Sequence, residues 1–242
     1  MWLGAHIRTS DGLPEAAAKG REIGCEAIQI FSKSPQTWKG PPIAEENARN
    51  FRAAVEREGL KATSIHHAYL TNLASPKPAL QKSSRTAFLD ELHRADLLGA
   101  DHVIFHPGAH MGTSTEAGIA RIVAALDWAT EHAPDGRATI LLENAAGQGT
   151  TIGSTFEELA AVLGAVREKD RVAVAVDTCH LFASGVDFRT PEGYGAIKDR
   201  IAATVGLGKV RAFHLNDSKA ECGSHLDRHE NIGKGAIGTA GF

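Results

Sequence analysis

Short apolar runs alternate with longer amphipathic ones along the whole chain. The short runs are 3–7, 25–31, 62–66, 102–106, 138–143, 172–177 and 210–215. Each is a brief, often β-branched stretch, and most end in a polar residue followed by Pro, Gly, Asn or Ser, so they read as buried strands. Between them lie helical patterns. Ile119, Ile122, Val123 and Leu126 sit at the i, i+3, i+4, i+7 spacing of one buried face, and Phe156, Leu159, Val162, Leu163 and Val166 repeat it. Ser154, three residues before Glu157, predicts a capping box at the start of the second of these helices.

Strand and helix alternating without a linker imply parallel strands joined by crossovers. Two architectures satisfy that order: an open doubly wound sheet and a closed (β/α)8 barrel. The barrel is favoured because polar residues end many strands, whereas open sheets concentrate function at one switch point. A single TIM-barrel domain over residues 1–242 is expected, with the eighth strand and helix missing, because the pattern supplies seven strands.

Composition narrows the class. The 242 residues are 43% hydrophobic and 23% charged, which suits a soluble α/β protein and is too apolar for disorder. No apolar run approaches the roughly 20 residues of a spanning helix. The opening residues lack a basic segment followed by an apolar stretch, so no secretory signal is read. Cys25, Cys179 and Cys222 are odd in number and widely spaced, which excludes a disulfide framework and a C-x-x-C ribbon. A reducing, cytoplasmic setting, no membrane partner and a monomer are expected.

Histidine is the anomaly, with 12 in the chain. His6, His66, His67, His106, His110, His180 and His214 fall at or just past strand C-termini, and His225 and His229 follow in a glycine-rich stretch. His93, His102 and His132 fall elsewhere. Glu143, Asp177 and Asp227 lie at matching places. Each alone has a plain structural reading: a hydrogen-bonded loop histidine, or a carboxylate capping the next helix. Together, carboxylates and imidazoles on one rim are costly unless a cation neutralises them. Imidazole with carboxylate and no thiolate pair suits zinc or manganese. The ligands are too many for one tetrahedral ion. Two or three clustered ions fit better, and they point to phosphoryl-ester hydrolysis. Asp177 with His180 and Asp227 with His229 are local chelates. Cys179, between two of these ligands, reads as packing.

The segments GAHIRTSDGL, IHHAYLTNLASP, FHPGAH, LLENAAGQGT, VDTCHLFASGVDFRTP, FHLNDSK and LDRHENIGKG, in this order, resemble the endonuclease IV family of apurinic/apyrimidinic endonucleases, zinc-dependent (β/α)8 DNA-repair enzymes. The resemblance runs nearly end to end. It implies that His66, His106 and Glu143 ligate one zinc, that Glu143 bridges to a second held with Asp177 and His214, and that His180, Asp227 and His229 hold a third. Glu143 is thereby the catalytic carboxylate. His66 is chosen over His67 because the family's ligand lies three residues before the tyrosine, here Tyr69. Tyr69 is similar to the side chain that helps fill the duplex once the abasic nucleotide is flipped out. The implied partner is double-stranded DNA containing abasic sites. The implied reaction is hydrolysis of the phosphodiester 5′ to the lesion, leaving a 3′-hydroxyl.

Two departures stand out. The family often has an arginine just before the tryptophan of the loop after the second strand; here Gln36 and Thr37 precede Trp38, so Gln36 takes the inserting role without a charge. The family's eighth strand carries a glutamate that completes the second zinc site, and nothing here supplies it. Two readings follow, a C-terminally truncated copy or a barrel closed by an oligomer partner; the expectation is truncation, with a chain that binds metal but is poorly active and has an exposed edge. Lys33, Lys39, Lys219, Arg228 and Lys234 are candidate phosphate contacts or simply solvated loop charges. A metal-dependent sugar isomerase or epimerase on the same barrel, and an abasic-site binding protein without chemistry, stand as alternatives. The formal charge of −3 does not exclude DNA, because three divalent ions would reverse its sign.

Overall fold

The computed structural model describes residues 1–242. The elements run β1 (Gly4–His6), α1 (Leu13–Glu22), β2 (Ala27–Ile30), α2 (Glu45–Arg57), β3 (Ala62–His66), α3 (Pro78–Leu98), β4 (His102–Phe105), α4 (Thr115–His132), β5 (Thr139–Glu143), α5 (Phe156–Ala165), β6 (Val172–Asp177), α6 (Thr178–Ala183), α7 (Pro191–Ala203) and β7 (Val210–His214). Two short strands follow, β8 (Asp217–Ser218) and β9 (His229–Glu230). Strands β1 to β7 form one sheet in chain order. The registers are parallel from β1 through β4 and between β6 and β7. A doubly wound sheet reverses its order at a switch point; a strictly sequential order is that of a (β/α)8 barrel. The chain carries seven of the eight βα units.

Each predicted strand is present: β3 and β6 have the predicted bounds, and the other five are shorter by one or two residues at one or both ends. The Val172–Asp177 run is buried at every position, as expected of a parallel strand covered on both faces. The end strands carry the expected exposed edge. β1 and β7 alternate in exposure, and Phe213 is half-exposed. Each pairs with one strand instead of two, so one side lacks a neighbour.

Three local features depart from the sequence reading. The N-cap of α5 is Thr155, not Ser154. The Thr155 hydroxyl accepts from the Glu158 N–H at 3.3 Å, while Glu158 Oε2 accepts from the Gly153 and Ser154 N–H groups. The box therefore sits one residue later, where the extended backbone of residue 155 lets its side chain turn back on the helix. Second, residues 178–183 form a separate short helix directly after β6. Third, the glycine-rich stretch after β7 is partly ordered as the antiparallel pair β8–β9, with Asp217 opposite Glu230 and Ser218 opposite His229.

The chain divides into two compact units. The first comprises 1–71, 82–105 and 128–140. Its core holds Ile28, Ile30, Phe51, Ile65, Phe88, Leu92 and Phe105, with the Phe88 and Phe105 rings 4.8 Å apart. A groove of about 720 Å³ on this unit is lined by Trp2, Lys61, Asp101, His102, Arg137 and Thr139 and contains no candidate site residue. The second unit comprises 72–81, 106–127 and 141–242. Its core is Leu141, Leu142, Leu159, Val162, Val174, Val176 and Phe182. No helix is long and apolar enough to cross a membrane.

Candidate functional site

Within the second unit, β5, β6 and β7 end in Glu143, Asp177 and His214. Asp177 and His214 are register partners across β6 and β7. Apolar strand bodies fix these positions, and the terminal polar residue of each is left at the C-terminal edge, where barrel enzymes place their chemistry. The α6 turn adds His180, and β9 with its preceding loop adds His229 and Asp227.

Asp177 serves two purposes. Its Oδ1 accepts from the His180 N–H at 2.9 Å, capping α6, and its Oδ2 accepts from Asn216 Nδ2 at 2.6 Å. The capping reading and the ligand reading are therefore compatible. Asn144 ties β5 to β6: its Oδ1 accepts from the Asp177 N–H at 2.6 Å and its Nδ2 donates to the Asp177 carbonyl at 3.2 Å. The Thr178 hydroxyl lies 3.2 Å from the His214 carbonyl and 2.7 Å from that of Asn216, holding the end of β7.

The side chains converge on one another. His214 Nδ1 lies 2.8 Å from Glu143 Oε1, and His106 Nε2 lies 3.7 Å from Glu143 Oε2. His180 Nε2 is 3.2 Å from Asp227 Oδ2, and His229 Nε2 is 3.2 Å from Asp227 Oδ1. His229 Nε2 also lies 3.7 Å from Asp177 Oδ2 and 3.3 Å from His180 Nε2. The ligand atoms of His180, Asp227 and His229 all fall within 4.8 Å of one another, as do those of Glu143, Asp177 and His180. Hydrogen bonding separates these two groupings. His180 Nδ1 sits 2.9 Å from the Asn144 carbonyl and must donate to it, which leaves the Nε2 lone pair for an ion. His180 Nε2 faces Asp227 and His229, which favours the grouping with them.

The electrostatics agree. Glu143 and Asp177 are fully buried. Burial works against a charged His180, yet the hydrogen bond to Asp227 and the charges of Asp177 and Glu143 outweigh it and push its pKa up to about 9. His214 is raised, against burial, chiefly by Glu143. The hydrogen bond from His180 holds the Asp227 carboxyl below its usual range. The potential here is strongly negative and favours cations. A divalent ion that takes the imidazole lone pairs displaces the protons. Donor set, tautomer and charge all fit a metal centre. Burial pushes the Cys179 thiol up to about 11, as suits a packed thiol and not a thiolate ligand.

In the first unit, His66 and His67 part ways. His66, buried at the end of β3, has Nδ1 2.8 Å from the His67 carbonyl, which makes Nδ1 the donor. His67 turns its Nδ1 to Glu91 Oε2 at 3.0 Å, and burial lowers its pKa below the ordinary value against the pull of Glu91. Tyr69 is 60% exposed, with its ring 5.5 Å from His66 and 5.7 Å from Phe31. Leu70 beside it is also exposed and went unremarked in the sequence. Gln36 is exposed in the β2–α2 loop. Lys33 is not a phosphate contact: its ammonium is buried, 2.7 Å from Asp90 and 3.2 Å from Glu91. Lys39, Lys219, Arg228 and Lys234 remain exposed. His225 is structural, with φ at +54° and Nδ1 against the Ala146 carbonyl. Asn144, Thr178 and Asn216 are the supporting residues that periodicity missed; their only signal was a polar residue beside each candidate ligand.

Comparisons with known proteins follow the same line. A family profile described as "Xylose isomerase-like TIM barrel" matches residues 17–242. A probable endonuclease 4 from Chloroflexus aurantiacus is 42% identical over 240 residues, covering 99% of this chain and 84% of the relative. The crystal structure of endonuclease IV from Thermus thermophilus superposes with a TM-score of 0.87 at 32% identity, covering 99% of this chain and 86% of that one. A D-tagatose 3-epimerase-like protein shares the fold, with a TM-score of 0.70 at 18% identity and 96% and 82% coverage.

Proposed function

This chain belongs to the xylose isomerase-like TIM-barrel family and, within it, to the endonuclease IV group, and from that premise we propose that it is a DNA-repair endonuclease that hydrolyses the phosphodiester 5′ to abasic sites in duplex DNA and leaves a 3′-hydroxyl. The observation that carries the reading is the pairing of His180 Nε2 and His229 Nε2 around Asp227, beside buried Glu143 and Asp177, with the His180 tautomer set by a carbonyl.

By the family resemblance, His106, Glu143, Asp177, His180, His214, Asp227 and His229 would hold divalent ions, taken as zinc, and His66 is a further candidate ligand. Ions held by these residues would supply positive charge for the scissile phosphate and acidify a water molecule. The protein's own groups do the rest. Glu143, the proposed catalytic carboxylate, holds a fixed negative charge between His106 and His214. Asn144 and Asn216 orient Asp177, so the ligand oxygens need not reorganise when substrate arrives. An abasic nucleotide has no base to unstack and leaves the helix at low cost. Exposed Tyr69 and Gln36 then fill the space it vacates.

The test is incubation of zinc-loaded protein with a duplex bearing one abasic site. The expected product is a nick 5′ to the lesion whose 3′ end a polymerase extends; chelator abolishes it and zinc restores it. A chelator-resistant cut on the 3′ side, or ketose epimerisation without nicking, overturns the assignment.

A further inference from the structure

The β2–α2 loop, residues 32–41, carries Gln36 and Trp38. Arg94 of α3 reaches beneath it. Its Nε donates to Ser32 Oγ, Nη2 to the Ser32 carbonyl and Nη1 to the Pro41 carbonyl, each at 2.9 Å. One planar group thus grips both ends of the loop. Lysine, with a single ammonium, cannot reproduce that fork. The side chain is 6% exposed, and Glu91 supplies compensating charge by accepting from Ser32 Oγ and pairing with Lys33.

Two further features serve the same grip. Gly40 has no Cβ, and one placed there would lie 2.9 Å from Arg94 Nη2 and 2.6 Å from Lys33 Cβ. At the middle of the loop, the Tyr69 N–H donates to the Pro35 carbonyl at 3.2 Å. The loop is fastened at its ends by Arg94 and at its centre by the backbone of the other proposed DNA-filling residue.

We propose that Arg94 is a positioning residue for lesion recognition, a clasp that closes the 32–41 loop and presents Gln36 beside Tyr69 in one fixed form. This rests on the endonuclease reading above. A loop ordered during folding does not have to be ordered again on binding DNA, so the clasp acts on affinity and leaves the chemical step alone. Arg94 touches no proposed metal ligand in the first unit; its acceptors are Ser32 and Pro41.

The test uses the zinc-loaded full chain with Arg94→Lys and, separately, Gly40→Ala, which crowds the guanidinium without changing charge. Both are also made in a Trp2→Phe/Trp128→Phe background that leaves Trp38 as the sole tryptophan. The expected result is a KM for abasic duplex raised roughly tenfold, kcat within about twofold of the parent, and zinc content unchanged. Acrylamide should quench Trp38 more strongly in both variants without DNA present. Unchanged Trp38 quenching in folded, zinc-loaded variants overturns the clasp, as does a fall in kcat at constant KM. If the parent protein does not nick at all while quenching rises in the variants, the endonuclease reading and the recognition role fall together and only the loop clasp stands.

Discussion

Asn144 contacts the centre through three groups: its side-chain oxygen, its side-chain nitrogen and its carbonyl, which between them hold Asp177 and His180. Replacing it with alanine leaves the Asp177 N–H without that acceptor and frees the turn that sets the His180 tautomer. Zinc affinity should fall about 10- to 100-fold, as read by competition with a chromophoric chelator, while far-UV circular dichroism stays that of the parent. Glu91 offers a separate measurement. Burial alone would raise its carboxyl, but the hydrogen bond to His67, the charge of His67 and then that of Lys33 bring it from 4.5 down to about 2. A depressed carboxylate stabilises the fold in full above its unfolded pKa and loses that contribution as pH falls through the folded one. The Glu91 contribution is therefore whole above pH 4.5 and fades between 4.5 and about 2. Glu91→Gln should be less stable than the parent at pH 7, with the gap closing across that window in denaturant titrations. A gap that stays constant down to pH 2 would contradict the pairing.

Helix caps and the β8–β9 segment set the next scale. Thr155→Ala removes the α5 cap and should cost about 1 kcal/mol, seen as a Tm lowered by roughly 2–4 °C. Asp217 is a larger matter. Its carboxylate is buried and accepts from the N–H groups of Ser218, Gly233, Gly235, Ile237 and Gly238. Burial would raise this carboxyl; the backbone donors of Gly235, Ser218, Ile237 and Gly238 outweigh it and hold it below the usual range. A Cβ at Gly235 would collide with the Ser218 carbonyl oxygen, so only glycine allows the approach. Asp217→Ala strips the 233–238 turn of its shared acceptor and loosens β9, which carries His229. Hydrogen exchange at residues 233–238 should accelerate and zinc stoichiometry should drop, whereas Thr155→Ala should change neither.

At the scale of the molecule, charge and metal are linked. The formal charge is −3, and the centre concentrates three carboxylates, two of them fully buried. Any ion bound only by the folded chain stabilises it by mass action, about 4 kcal/mol at a thousandfold excess over its Kd. Chelation should therefore lower Tm by several degrees. Zinc should restore it and magnesium should not, because imidazole-rich sites favour the former. A Tm indifferent to chelator would count against a metal centre in the second unit.

How much of this was legible in the sequence depends on the range of the interaction. Strand and helix alternation follows from local periodicity, so β1 to β7 and the barrel order were readable, and the family resemblance supplied the proposed ligand positions. An exposed edge at β1 and β7 was legible from the strand count; which β7 residues turn outward, Phe213 among them, was not, because that depends on packing across the sheet. Nor was the burial of Lys33, which looked like any loop lysine until α3 brought Asp90 and Glu91 beneath it. Thr155, not Ser154, supplies the cap, because its hydroxyl is the one that reaches the Glu158 N–H, a choice that residue type does not encode. His66 and His67 are adjacent and chemically identical; what separates them is that the His66 ring meets the neighbouring His67 carbonyl, whereas the His67 ring meets Glu91, brought in by α3. Residue identity and spacing thus determined the elements, the architecture and the donor chemistry. The tertiary structure decided tautomer, charge state and partner, because those depend on groups dozens of residues apart in the chain and within about 3 Å in space.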